Sequence, residues 1–216
     1  MRKLKLDNTS LLLYAVTDRM WLGRNSLTEQ TETAIKAGVT FVQLREKNLD
    51  FESFLKQAKE IKTLTDAYHI PFVINDNVEI ALACGADGVH VGQEDMAAGD
   101  VRKRIGDDKI MGVSVCTQAQ AILAEKNGAD YLGVGAMFTT STKADADTVT
   151  YEILREICAG VTIPVVAIGG IDQKNILTLR RSGIVGVAVV SAIFAQPDIA
   201  AATAELQQLA VIMVNA

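Results

Sequence analysis

Four glycines punctuate this chain in the same way. Gly38, Gly85, Gly128 and Gly183 each close a helix-like stretch and open a short apolar run: KAGVTFVQLRE, ACGADGVHVGQ, KNGADYLGVGA and RSGIVGVAVVS. They recur at intervals of roughly fifty residues. Each interval holds a second apolar run, IPFVIND (70–76), DKIMGVSV (108–115) or IPVVAIGG (163–170). A β-α-β-α rhythm repeated four times supplies eight strand–helix units, which close into a single-domain (β/α)8 TIM barrel spanning 1–216, with 1–10 as an N-terminal segment. Such a barrel carries its chemistry in the loops after the C-terminal ends of its strands.

The runs place strands at 11–18, 41–47, 72–76, 88–92, 110–115, 131–137, 165–169 and 187–192. Ser26-Leu27-Thr28-Glu29 has the form of a capping box, opening a helix that ends near Gly38. Asp50 is placed to cap a helix reaching about Tyr68. Further helices are expected before Gly85, near 97–105, over 118–127 and 172–182, and from Asp198 to Ile212. The polar segment 139–148 is read as a long loop, of the kind that often serves function. Few aromatic residues predict a core of Val, Ile, Leu and Ala.

The 216 residues are 49% hydrophobic and carry a net charge of −5. That balance argues against nucleic-acid binding but leaves small anionic substrates open, because local charge governs those. Three scattered cysteines, Cys84, Cys116 and Cys158, fit neither a disulfide framework nor a zinc site and point to the cytoplasm. No apolar run is long enough for a membrane span. The oligomeric state is left open, a homo-oligomer included.

Gln43, Arg45 and Lys47 alternate along the second strand, so all three face one side. With no obvious acidic partner, they suggest a cradle for an anion. Asn75 and Asp76 end the third strand and Asp95 follows the fourth. Either aspartate alone could serve as a helix cap. As a pair beside the cradle they suggest magnesium shared with a phosphate. Ser114 ends the fifth strand. Thr140, Thr142 and Lys143 supply hydroxyls and a cation after the sixth. Gly169-Gly170 follows the seventh, and Val190-Ser191 ends the eighth, where many barrels bind phosphate through backbone N–H groups. The three basic side chains and a magnesium ion, set against two carboxylates, leave a positive surplus matching a pyrophosphate of roughly three negative charges. His90, inside the fourth strand, reads as a packed histidine rather than a base. No Ser–His–Asp or Cys–His set emerges.

In that order QLREK (43–47), IND (74–76), GADGVHVGQED (85–95), GVS (112–114), TSTK (140–143), AIGGI (167–171) and VVSAI (189–193) resemble the thiamine-phosphate synthase family. The resemblance covers nearly the whole chain. It implies a (β/α)8 barrel that joins 4-amino-2-methyl-5-hydroxymethylpyrimidine diphosphate to a thiazole phosphate, or its carboxylated form, releasing pyrophosphate. It implies that Gln43, Arg45, Lys47, Asn75 and Lys143 bind the diphosphate and that Asp76 and Asp95 ligate Mg2+. Ser114 would contact the pyrophosphate. Thr140, Thr142, Gly170, Val190 and Ser191 would hold the thiazole phosphate. The implied reaction is dissociative, needing charge stabilisation and positioning rather than a strong base. Ala136 and Thr139 stand where the family pattern often has proline. A related tautomerase-like or regulatory barrel would keep the phosphate anchor and lose the diphosphate and metal ligands. A phosphosugar isomerase, epimerase or aldolase, or a phosphate-binding protein without catalysis, are the other readings.

Overall fold

The structure is a computed structural model that describes residues 6–23, 25–93, 95–139 and 148–216. Eight parallel strands close a barrel in sequence order: β1 (Leu13–Val16), β2 (Phe41–Leu44), β3 (Phe72–Asn75), β4 (Gly88–Val91), β5 (Ile110–Val115), β6 (Tyr131–Val134), β7 (Val165–Ile168) and β8 (Gly186–Val189). Closure is parallel too, with Leu13 of β1 opposite Val187 of β8.

The helices are α1 (Leu27–Lys36), α2 (Phe51–Ala67), α3 (Val78–Cys84), α4 (Ala98–Ile105), α5 (Gln118–Lys126), α6 (Tyr151–Gly160), α7 (Ser191–Phe194) and α8 (Ile199–Val214). The Ser26/Glu29 capping box opens α1, and Asp50 caps α2 by accepting from Ser53 N. The four recurrent glycines all adopt positive φ. Each lies three residues ahead of an even-numbered strand, turning the chain into the sheet.

Several expected elements differ. The helix foreseen over 172–182 is only a 3-10 turn, Ile176–Leu179. Asp172 Oδ1 accepts from the backbone N–H groups of Lys174 and Asn175, a local bonding pattern that competes with helix formation. Conversely, α6 was not foreseen, although Thr150 caps it and Leu154 and Ile157 bury its inner face. The segment 191–192, read as the end of the last strand, instead begins α7. Most strands end earlier than their apolar runs suggested, because the last residues of each run leave the ladder at the rim.

Two apolar clusters divide the fold. The larger fills the layer between barrel and helices, with Val42, Leu44, Ile74, Val89 and Val113 facing Ala34, Ile61, Ile80 and Leu206. The smaller lies inside the barrel and includes Leu11, Tyr14, Phe41, Ile110, Tyr131 and Val166. The interior is therefore more aromatic than composition predicted: the Tyr14 and Phe41 rings are 4.5 Å apart and the Phe41 and Tyr131 rings 5.7 Å. Tilted and edge-on ring contacts of this kind add to what burial alone contributes.

The N-terminal end is sealed. A 3-10 turn, Asn8–Leu11, capped by Asp7, carries Leu11 into the inner cluster. A Cβ on Gly186 would come within 2.0 Å of the Leu11 carbonyl oxygen, so β8 passes directly against this turn.

Candidate active site

The predicted residues that the structure describes gather at the C-terminal rim of the strands. Gln43 is in β2, with Arg45 and Lys47 just beyond it. Asn75 is the last residue of β3, with Asp76 next. Asp95 follows β4, and Ser114 is near the end of β5. Gly170 follows β7, and Val190 and Ser191 follow β8. Thr140, Thr142 and Lys143 lie outside the described residues.

Both rim cations have acidic neighbours, contrary to the expectation of an unpartnered cradle. Lys47 Nζ donates to Asp76 Oδ2 at 2.7 Å. Arg45 Nη1 lies 3.4 Å from Asp18 Oδ2, with both side chains largely covered. Asp18 sits just beyond β1, the neighbour of β2, so the partner comes from across the sheet. It lowers the positive surplus of the site by one charge. Glu46 turns the other way and binds Arg19 at 2.8 Å. Burial pushes the Glu46 carboxyl up from its usual value, against the pull of Arg19.

Neither aspartate caps the helix after it. Asn77 caps α3, accepting from Ile80 N at 2.9 Å, and α4 begins without a side-chain cap. Asp76 has φ +62, a left-handed conformation uncommon outside glycine. Asn75 Nδ2 also donates to its Oδ2. Asp95 Oδ2 accepts from Gly92 N at 2.7 Å. Burial and the adjacent Asp76 carboxyl together raise the Asp95 pKa. Two carboxylates brought together at a cost to the ionised pair are an arrangement that a divalent cation stabilises. Among the described residues no group of three or more His, Cys, Asp or Glu side chains gathers, so any metal here would need other oxygen donors from substrate or water.

Sequence reasoning missed a polar chain that runs beneath the rim. Gln43 Nε2 donates to Tyr14 Oη. Tyr14 Oη lies 2.8 Å from Tyr131 Oη, which lies 2.9 Å from His90 Nδ1. His90 Nε2 is 2.9 Å from Ser114 Oγ. His90 is thus packed, as its place in a strand suggested, yet it also supports a predicted site residue. Burial pushes its pKa down to about 4, so the ring is neutral near pH 7. Burial also raises both tyrosines. The available signal was the set of inward positions on β1, β2, β4, β5 and β6, where Tyr14, Gln43, His90, Ser114 and Tyr131 alternate with outward apolar residues.

On the opposite side of the rim, Gly169 and Gly170 have φ +97 and +65. A Cβ on Gly170 would come within 2.6 Å of the Thr139 carbonyl oxygen, and one on Gly169 within 2.6 Å of Ala136 Cα. The loops after β6 and β7 therefore touch backbone to backbone. Beside them lies a recess of about 670 Å³ lined by Phe138, Thr139, Thr148, Gly170, Asp172 and Asn175. Among the described residues no helix is long and apolar enough to cross a membrane.

Residues 13–193 match the family model described as thiamine monophosphate synthase. The chain is 51% identical over 207 residues to a thiamine-phosphate synthase of Ruminiclostridium cellulolyticum, covering 96% of this chain and 97% of that one. It is 50% identical over 199 residues to a thiamine-phosphate synthase of Clostridium tetani, covering 92% and 95%. Its backbone superposes on a solved thiamine phosphate pyrophosphorylase from Pyrococcus furiosus with a TM-score of 0.88 and 38% identity, covering 96% of this chain and 98% of that one.

Proposed function

The chain belongs to the thiamine monophosphate synthase family, and on that premise we propose that it joins 4-amino-2-methyl-5-hydroxymethylpyrimidine diphosphate to 4-methyl-5-(2-phosphooxyethyl)thiazole, or its carboxylated form. The products are thiamine phosphate and pyrophosphate. One observation carries the reading: Asp76 and Asp95 meet at the rim, with Lys47 on Asp76 and Arg45 on the same strand end. That pairing suits a magnesium-bound diphosphate and has no evident purpose in a barrel that only anchors a monophosphate.

Magnesium held by Asp76 and Asp95 would supply positive charge to the departing pyrophosphate. Arg45, Lys47 and Lys143 would add to that charge, and Ser114 would donate a hydrogen bond to the same group. The Lys47–Asp76 contact keeps the ammonium within reach of the metal site. Gln43 and Asn75 would bind the diphosphate substrate. Gly170, Val190 and Ser191, with Thr140 and Thr142, would hold the thiazole phosphate, fixing its ring nitrogen toward the carbon that loses pyrophosphate. Glycine at 170 lets backbone approach the ligand closely. Carbon–oxygen cleavage ahead of bond formation asks the protein to stabilise charge and exclude misplaced nucleophiles, and requires no strong base. Three cysteines scattered through the chain, Cys84, Cys116 and Cys158, suit a reducing, cytoplasmic setting.

The test is a purified-protein assay with both substrates, with and without Mg2+, detecting thiamine phosphate. Product should form only with the metal. Asp76→Ala should lower turnover at least about a hundredfold and weaken the Mg2+ dependence. Full activity of that variant in the presence of a chelator would overturn the metal assignment.

A further inference from the structure

We propose that the buried chain Gln43–Tyr14–Tyr131–His90–Ser114 is polarised in one direction, and that Tyr131 and His90 are positioning residues that aim the Ser114 hydroxyl proton out of the barrel toward the bound anion. The inference rests on the substrate class proposed above for the direction of its last step. Its first steps follow from the chain itself.

Gln43, at one end of the series, is only 4% exposed. Its amide nitrogen, directed at Tyr14 Oη, can only donate. Tyr14 Oη accepts there, so its single proton goes to the other neighbour, Tyr131 Oη, 2.8 Å away. Tyr131 Oη then turns its own proton to His90 Nδ1 at 2.9 Å. That nitrogen must be bare to accept. A neutral imidazole with a bare Nδ1 carries its proton on Nε2. Nε2–H donates to Ser114 Oγ at 2.9 Å. Ser114 Oγ accepts from below, and its own proton is left free to point into the mouth. The Ser114 backbone is fixed separately, its carbonyl accepting from Gln93 Nε2 at 2.7 Å.

The opposite direction fails at the open end. If every bond reversed, Ser114 would commit its proton to His90 and offer only lone pairs to a phosphate oxygen, which repel it. The interior is also built around this chain. A Cβ on Gly112 would lie 2.4 Å from His90 Nδ1 and 2.2 Å from Tyr131 Cζ, and one on Gly133 would lie 3.2 Å from His90 Cε1. Bare positions on β5 and β6 leave the room the imidazole and phenol occupy. Among the described residues the Tyr14 and Tyr131 hydroxyls bond only within this series, and both side chains are buried.

The experiment has two readings. The chain contains only two histidines, His69 and His90, so nitrogen-15 histidine spectra are simple to assign, with His69→Gln removing the exposed one. In the substrate-free protein at neutral pH, His90 should be the Nε2–H tautomer. The Nδ1–H tautomer would overturn the proposal. Second, Tyr131→Phe keeps the ring and removes the bridging hydroxyl. It should lower kcat about tenfold while the KM for the thiazole phosphate stays within twofold, since that substrate is held at the other side of the rim. Unchanged kcat in a folded Tyr131→Phe protein would overturn the proposal. If Tyr131→Phe does not fold, Tyr14→Phe, one link further from His90, takes its place with the same expected split. The tautomer needs no substrate. A protein showing Nε2–H but forming no thiamine phosphate would overturn the functional reading and leave the polarity standing.

Discussion

Gly112 lacks a side chain because His90 and Tyr131 fill the space where one would go. Gly112→Ala should therefore destabilise the protein by about 2–3 kcal/mol and reduce turnover as well, since either ring must shift and the hydrogen-bonded chain with it. Urea unfolding and steady-state rates check both parts. A glycine in the middle of an apolar run, as here in IMGVSV, signals that something large lies opposite, but not what. The rim residues were easier to read. Alternation along QLREK put Gln43, Arg45 and Lys47 on one side, and all three are at the rim. What alternation could not give was Asp18 beside Arg45 or Tyr14 beside Gln43, because those partners come from another strand and depend on barrel register. Asp76 and Asp95 lie close together because β3 and β4 are neighbours, as expected. Neither serves as a helix cap: Asn77 caps α3, and α4 begins after Ala97 without a side-chain cap.

At the scale of elements, helix starts with side-chain caps were legible and helix identity in polar stretches was not. Ser26, Asp50 and Asp198 each cap the helix they were expected to open. The α6 helix was overlooked because its cap, Thr150, follows a run of threonines and aspartates that reads as loop. The helix expected between β7 and β8 collapsed to one 3-10 turn because Asp172 bonds its neighbours' backbone instead. The recurrent glycines carry a separate lesson. Gly85 ends α3 with φ +72, and a Cβ there would meet nothing within 4 Å. The cost of Gly85→Ala is therefore conformational, about 1–2 kcal/mol. This turn precedes β4 and so lies at the end of the barrel away from the rim. Thermal unfolding should register the loss while kcat and KM remain at wild-type values. A change in KM would mean that the two ends of the barrel are energetically coupled.

For the whole molecule, the periodic glycines and eight apolar runs were enough to specify a closed parallel barrel, because right-handed β-α-β connections leave few other ways to bury every run on both faces. Composition was a poorer guide to where residues sit: the few aromatics concentrate inside the barrel rather than being spread through the core. The proposed site joins loops after β2, β3, β4 and β5 on one side and β7 and β8 on the other, so ligands that bridge those loops should stabilise the fold as a unit. Mg2+ together with pyrophosphate should raise the melting temperature more than the sum of either alone, reaching about 2.7 kcal/mol of added stability at a hundredfold excess over Kd. Simple additivity would mean that the ion and the anion do not share a site. The sealed N-terminal end has a consequence for traffic. With the Asn8–Leu11 turn as a floor and tyrosine and phenylalanine rings filling the lumen above it, the barrel is a cup rather than a pipe. Everything that arrives must depart through the same doorway, so a newly made molecule has to vacate before the next pair can be seated.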